Sequence, residues 1–220
     1  TVDKSLKLLK WHRKEAHTAI GLEGGYLGHT TAAARSLSDP QVHRQGPTYF
    51  DWKRIPHPAV EGPKKTLNAL NNVAKKAGGP ENIFGLFIET VQERTGRVLD
   101  EAFFKALNQF RAKTGIPIVL VETATACYRS GNTPFAYPSH LFTPDILLWW
   151  GGGQLGMIHL GHDFWVPEPL AMASTWDGDE LSLIRVYHHL RTARTLDLNK
   201  AVEAWEEVMG LLGEQSGLLN

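Results

Sequence analysis

Between Lys113 and Lys200 the chain has no lysine. That stretch offers no ε-amine for a Schiff base and no lysine to shuttle protons. Cysteine is almost absent as well. The one residue, Cys127, cannot close an internal disulfide, and such usage fits a reducing compartment. Neither sign of charge is in excess, with 23 basic against 23 acidic side chains and a pI near 7.1. That balance removes the broad pull toward nucleic acid or an anionic membrane surface. No apolar run approaches the length of a membrane span, and no charged-then-apolar leader opens the sequence. The expectation is a cytoplasmic protein with neither nucleic acid nor membrane as partner.

What is present is the composition of an ordinary soluble globular domain. The 220 residues are 42% hydrophobic and 21% charged, enough to bury a sizeable core. Strand-like and helix-like segments alternate. Strands are expected at His17 to Leu22, Tyr49 to Ile55, Ile83 to Glu89, Ile116 to Glu122, Asp145 to Trp150 and Gly156 to His159. Helices are expected at Asp3 to Arg13, Gly62 to Lys76, Leu99 to Thr114, Glu180 to Thr192 and Leu198 to Leu212. Such alternation implies an α/β fold of three layers, α/β/α, around a mostly parallel sheet. Gly78-Gly-Pro80 and Gly151-Gly-Gly153 mark turns.

Five segments, in order, carry a resemblance. Gly21 to Thr30 reads GLEGGYLGHT and resembles E-G-x-Y/F-H-G-x-T. Phe87 to Gln92 reads FIETVQ, beside V-E-P-V-Q. Ile116 to Gly131 reads IPIVLVETATACYRSG, beside L-I-x-D-E-V-Q-T-G-F-G-R-T-G. Thr143 to Ile146 reads TPDI, and Gly151 to Gly156 reads GGGQLG, beside G-G-G-x-P-L-G. Together these segments resemble the large domain of class III aminotransferases, enzymes of the ornithine, acetylornithine and 4-aminobutyrate type with the fold-type-I transferase architecture that binds pyridoxal phosphate. The resemblance implies that fold, a cofactor cleft and a dimer with active sites at the subunit interface.

The departures fall on the cofactor contacts. In the family an aspartate at the position of Val121 pairs with the pyridine nitrogen, so that the ring acts as an electron sink. Glu122 is adjacent, but neighbouring strand residues point to opposite faces. The family's glutamine near the ring hydroxyl falls on Ala124. Its Schiff-base lysine lies between P-D-I and G-G-G, where only Leu147, Leu148, Trp149 and Trp150 intervene. By the resemblance, Tyr26 is the ring-stacking aromatic, Glu89 and Gln92 hold strand-end positions, and Thr175 sits where a neighbouring subunit's threonine reaches the phosphate. The alternative for these residues is plain packing and hydrogen bonding.

Other residues invite competing readings. Trp149, Trp150, Trp165 and Trp176 either plug the former cofactor space or ring an aromatic ligand pocket. His159, His162 and Asp163, with His188 and His189, suggest a metal, yet a strand end followed by a turn lacks helical i, i+4 geometry, so no metal is expected. Ser130, Ser139 and Ser174 lack a nucleophile elbow, and the glycines at Gly151 lack the Lys-Ser/Thr of a phosphate loop.

By the resemblance, residues 1–192 form an aminotransferase-like large domain lacking the family's first strand, and residues 193–220 a helical segment leading toward a small domain. The strand at Gly156 to His159 then lies at an edge that another chain, another domain or a local segment covers. Two function classes follow. One is a degenerate, non-catalytic aminotransferase-like domain serving dimerisation or scaffolding, as a homodimer or beside a covalently linked domain of a larger protein, with no cofactor. The other is an enzyme or binding domain that reuses the cleft for pyridoxal phosphate or another small ligand. A filled cleft favours the first, and an open cleft with convergent Glu89, Gln92, Tyr26 and Arg129 favours the second.

Overall fold

The computed structural model describes residues 1–42, 47–131, 133–152, 154–175 and 177–216. The chain opens with α1 (Val2–His12) and β1 (Thr18–Leu22), then α2 (Ala32–Leu37), β2 (Lys53–Ile55), α3 (Pro58–Glu61) and α4 (Pro63–Lys76). It continues through β3 (Ile83–Glu89), α5 (Glu101–Thr114), β4 (Ile118–Glu122), β5 (Ile146–Trp150) and β6 (Gly156–Leu160), and ends in α6 (Glu180–Ala193) and α7 (Leu198–Ser216). The strands form one sheet ordered β2-β1-β3-β4-β5-β6. All neighbours are parallel except β5 and β6, which form an antiparallel hairpin. This is the mostly parallel α/β architecture expected from the alternating pattern.

Local chemistry explains the element ends. At the start of α5 the Asp100 carboxylate accepts from the Phe103 N–H at 2.7 Å, and Gly115 closes the helix at φ +66°. At α6 Asp179 caps in the same way, accepting from Ser182 N–H at 2.9 Å. The strand expected at Tyr49 to Ile55 shrinks to its last residues. There the Tyr49 and Phe50 amides donate to the Ser36 hydroxyl at 3.0 and 2.9 Å, taking a side-chain partner in place of a ladder. The short helices α2 and α3 are additions to the sequence-based expectation.

Two apolar layers sandwich the sheet. On one face Leu70 of α4 and Phe103, Phe104 and Leu107 of α5 pack on Ile88, Ile118, Leu120, Leu147 and Trp149. On the other, Leu6 and Leu9 of α1 and Ala33 and Leu37 of α2 pack on Phe87, Val119, Val121, Ile146 and Leu148. Consecutive β4 residues alternate between the layers, as the two-residue strand period demands. Because both faces are covered, β3 and β4 read as nearly unbroken apolar runs.

The chain leaves β1 toward β2 and returns to the other side of β1 with β3. The strand order therefore reverses between β1 and β3, and open α/β sheets bind ligands at the carboxyl ends of the strands flanking such a point. At the opposite margin β6 is an edge, with no strand on its outer side among the described residues. The residues around Asp177 and Leu183 border a groove along β6, and Asp177 pairs with Lys4 of α1. Among the described residues no helix is long and apolar enough to cross a membrane.

Candidate functional site

The turn after β1 is built by buried polar groups. The Gly24 N–H donates to Asp39 Oδ2 at 2.7 Å, and the Gln92 side-chain amide donates to the Glu23 carbonyl at 2.9 Å. Gly24 has φ +79°, and a Cβ there would stand 2.8 Å from Gln92 Oε1, so only glycine fits. Glu89, at the end of β3, reaches back to the same turn. It accepts the Tyr26 N–H at 2.9 Å and the Glu93 N–H at 3.0 Å. Burial raises its pKa from 4.5 to about 7, against the opposing effect of those two N–H groups.

Glu122 performs the matching task after β4. Fully buried, it accepts from the hydroxyls of Thr90, at 2.5 Å, and Thr125, and from the N–H groups of Ala136 and Tyr137, both at 3.1 Å. It pins Thr125, Ala136 and Tyr137 of the following loop to the sheet. Within that loop Cys127 and Tyr128 both have positive φ, +61° and +64°. Tyr128 stands where the F-G-R pattern has its glycine, so a side chain carries a conformation that costs roughly 1–2 kcal/mol. Cys127 is buried and its thiol pKa is pushed up by that burial, which fits packing rather than nucleophilic attack.

Between these loops and the β5–β6 hairpin opens a cleft of about 500 Å³. Tyr26, Leu27 and Gly28 line it from the β1 turn, Thr123, Ala124 and Arg129 from the β4 loop, and Trp149, Trp150 and Gly156 from the hairpin. Thr1 and Glu93 complete the wall. No lysine is among these residues. At the hairpin, Trp150 pairs with Gly156 across the ladder. A Cβ on Gly151 would lie 2.6 Å from Val186, so the turn leaves no room for a longer residue there.

The sequence-derived positions divide into two groups. Tyr26, Ala124, Trp149 and Trp150 meet in the cleft. Glu89 and Gln92 do not line it, because their polar atoms are turned to the loops. Val121 is buried in the apolar layer beneath α1 and α2. Thr175 is exposed and away from the cleft lining.

Trp149 is buried, edge-on to Phe135 and His159 at 5.8 and 5.7 Å, and its indole N–H donates to His159 Nε2 at 3.3 Å. Trp150 is 42% exposed, whereas Trp165 is 66% exposed and lies outside the cleft lining. Trp176 falls outside the described residues. No group of three His, Cys, Asp or Glu side chains able to hold a metal ion occurs among the described residues.

Sequence reasoning missed the clamp of Glu122 and the role of Arg94, whose guanidinium lies 4.4 Å from the centre of the Tyr26 ring. It also missed the anchoring by Asp39. The spacing of Glu122 to Thr125 was the one local signal for the first of these, since a carboxyl and a hydroxyl so placed meet across a turn.

No protein-family model matches the chain. In sequence it is 28% identical over 139 residues to the 2-aminoadipate transaminase of Pseudomonas putida, covering 59% of this chain and 32% of that protein. It is 26% identical over 198 residues to the L-lysine-epsilon aminotransferase of Amycolatopsis lactamdurans, covering 81% and 42%. Among solved structures, a co-factor free transaminase superposes with a TM-score of 0.74 at 17% identity, over 96% of this chain and 57% of that one. The lysine aminotransferase from M. tuberculosis in its internal aldimine form gives 0.70 at 21% identity, over 92% and 51%. The chain thus spans 32% and 42% of the length of the curated relatives it matches.

Proposed function

We propose that this chain, which resembles class III aminotransferases in sequence and has the fold of transaminases, is a degenerate relative that does not itself transaminate and that serves dimerisation or scaffolding. The observation that carries the reading is a cleft with no lysine in its lining among the described residues. Covalent pyridoxal phosphate does not fit these residues. Its aldimine would need an amine, the position that the resemblance gives to the carboxylate for the ring nitrogen is held by Val121, and the Tyr26 ring has Arg94 against it.

The surface supports an association role. On α6 Leu181, Ile184 and Tyr187 are exposed on one stripe, and on α7 Val202, Trp205 and Met209 form another. Apolar stripes on helices mark faces that pack on something else. The partner is a second copy or a covalently linked domain.

A second reading is favoured by a specific observation. The cleft is open at about 500 Å³, a volume suited to a small molecule, so the fold binds a ligand there without covalent chemistry. The deciding experiment is an absorbance titration of the purified chain with pyridoxal phosphate, read beside its mass by light scattering. A dimer with no internal-aldimine band is the expected result. An aldimine band that survives dialysis overturns the non-catalytic reading, and a monomer at all concentrations overturns the homodimer and leaves a covalently linked domain as the partner.

A further inference from the structure

Resting on the association role proposed above, we infer that α6 and α7 form the interface of a two-fold homodimer, with α7 of each copy lying antiparallel on α6 of the other. Exposure is the first argument. Ten of the eighteen large hydrophobic side chains exposed among the described residues fall between Leu181 and Leu211, so the exposed apolar surface is concentrated on these two helices and the turn joining them. Every residue of α7 from 199 to 211 is exposed. A lone helix of such length is marginal in water, and burial of one face is what stabilises it.

Pattern is the second. On α7, Leu198, Val202, Trp205 and Met209 recur at intervals of four, three and four residues, the spacing of a helix that buries one seam against another helix. Its own chain does not close this seam. Leu198, Val202 and Trp205 overhang a groove of about 550 Å³ whose far wall is Tyr128, Arg129 and Ser130. Arg129 is turned to the carbonyls of Ala126 and Trp150, at 2.9 and 3.4 Å. On α6 the side packed on the domain is Ser182, Val186 and Ala193, and the opposite side presents Leu181, Ile184, His188 and Arg191, all exposed, at intervals of three, four and three. Two helices thus offer one open seam each.

Charge selects the partner. Arg185 flanks the α6 seam just after Ile184, and Glu206 flanks the α7 seam just after Trp205, the equivalent side of each helix. Both are exposed and neither is in an ion pair among the described residues, although Arg185 acts at a distance on Asp179, the cap of α6. In an antiparallel pair equivalent flanks meet. Setting Leu181 against Trp205 and Ile184 against Val202 brings Arg185 beside Glu206, and Tyr187, which is edge-on to His188, beside Ala201. The other charges stay clear of this contact: Lys200 pairs with Asp197, Glu203 and Glu207 lie toward the back of α7, and Glu180 falls beside Val208. A basic apolar face and an acidic apolar face on one chain, each uncovered, complement each other between two copies, and a two-fold axis closes the assembly with two equal contacts. The seams supply affinity and the charges supply the choice of partner.

The test is sedimentation velocity of the intact chain over a concentration series, with the two flanking charges reversed separately and together. Wild type is expected to dimerise. Arg185→Glu and Glu206→Arg each turn both contacts of the dimer into like-charged ones, and each is expected to weaken dimerisation by about tenfold or more. An equal mixture of the two variants restores dimers, because both contacts then join unlike charges, and so does the chain carrying both changes. Misfolded chains cannot rescue each other, so the restored dimer reports the interface itself. A dimer that neither reversal weakens uses another surface and overturns the inference while leaving the homodimer of the proposed function intact. A loss that neither the mixture nor the double variant reverses also overturns it. A wild-type monomer at all concentrations overturns the inference and the homodimer together, and leaves a covalently linked domain as the partner.

Discussion

Replacing Glu122 by alanine is expected to be among the most damaging single changes in this chain. The carboxyl is fully buried and accepts from four donors, on Thr90, Thr125, Ala136 and Tyr137. The two threonine hydroxyls can rotate to other acceptors, but the Ala136 and Tyr137 N–H groups are fixed by the backbone and lose theirs. Each stranded donor costs about 1–3 kcal/mol, toward the lower end for half-buried groups. Loss of packed side-chain methylenes adds about 1 kcal/mol. The sum is roughly 3–5 kcal/mol, in the tail of single-substitution effects. With a urea m-value of about 2 kcal/mol/M the midpoint falls by roughly 1.5–2.5 M. Equilibrium urea unfolding followed by tryptophan fluorescence measures this directly. Glu122→Gln keeps the shape but turns an NH₂ group toward one pair of donors, so it lies between wild type and alanine. A midpoint shift under about 0.5 M for Glu122→Ala would refute the clamp and make the hydrogen bonds incidental to folding.

Glu89 makes a pH-dependent prediction of definite sign. Its folded pKa of about 7 lies above the ordinary 4.5, so the folded state holds its proton more tightly than the unfolded chain does, and this contribution to stability declines as pH rises from about 4.5 to 7. Subtracting the urea stability of Glu89→Gln from that of wild type at pH 5 and again at pH 7 is expected to give a difference less favourable to wild type at pH 7; an equal or opposite difference refutes the burial argument. At the start of α5, Asp100→Ala removes the acceptor of the Phe103 N–H and is expected to lower stability by about 1 kcal/mol, while Asp100→Ser largely preserves it, both read from thermal midpoints.

The site was partly legible in the sequence because some of its determinants are local. The absence of a lysine from Lys113 to Lys200, and the short run from Ile146 to Gly151, are facts of order and spacing that folding does not change. The opposite facing of Val121 and Glu122 follows from the strand period, and the two apolar layers bear it out at Val119 and Val121. Glu89 and Gln92 were harder. A position at a strand end says that a side chain is near the cleft, but its direction depends on which backbone donors a different loop brings within reach.

By itself the sequence determined the alternating elements, the mostly parallel sheet, the ends of α5 and α6 through Asp100, Gly115 and Asp179, and the lack of an amine between Ile146 and Gly151. These rest on interactions within a few residues, where periodicity and capping dominate. Only the tertiary structure decided that Glu89 and Gln92 brace loops, that Arg94 covers the Tyr26 ring, that Glu122 binds residues as distant as Thr90 and Tyr137, and that Trp149 packs below a cleft that stays open. The physical reason is that a buried polar group takes whichever partner the packed chain delivers, because leaving it unpaired costs more than any local preference supplies.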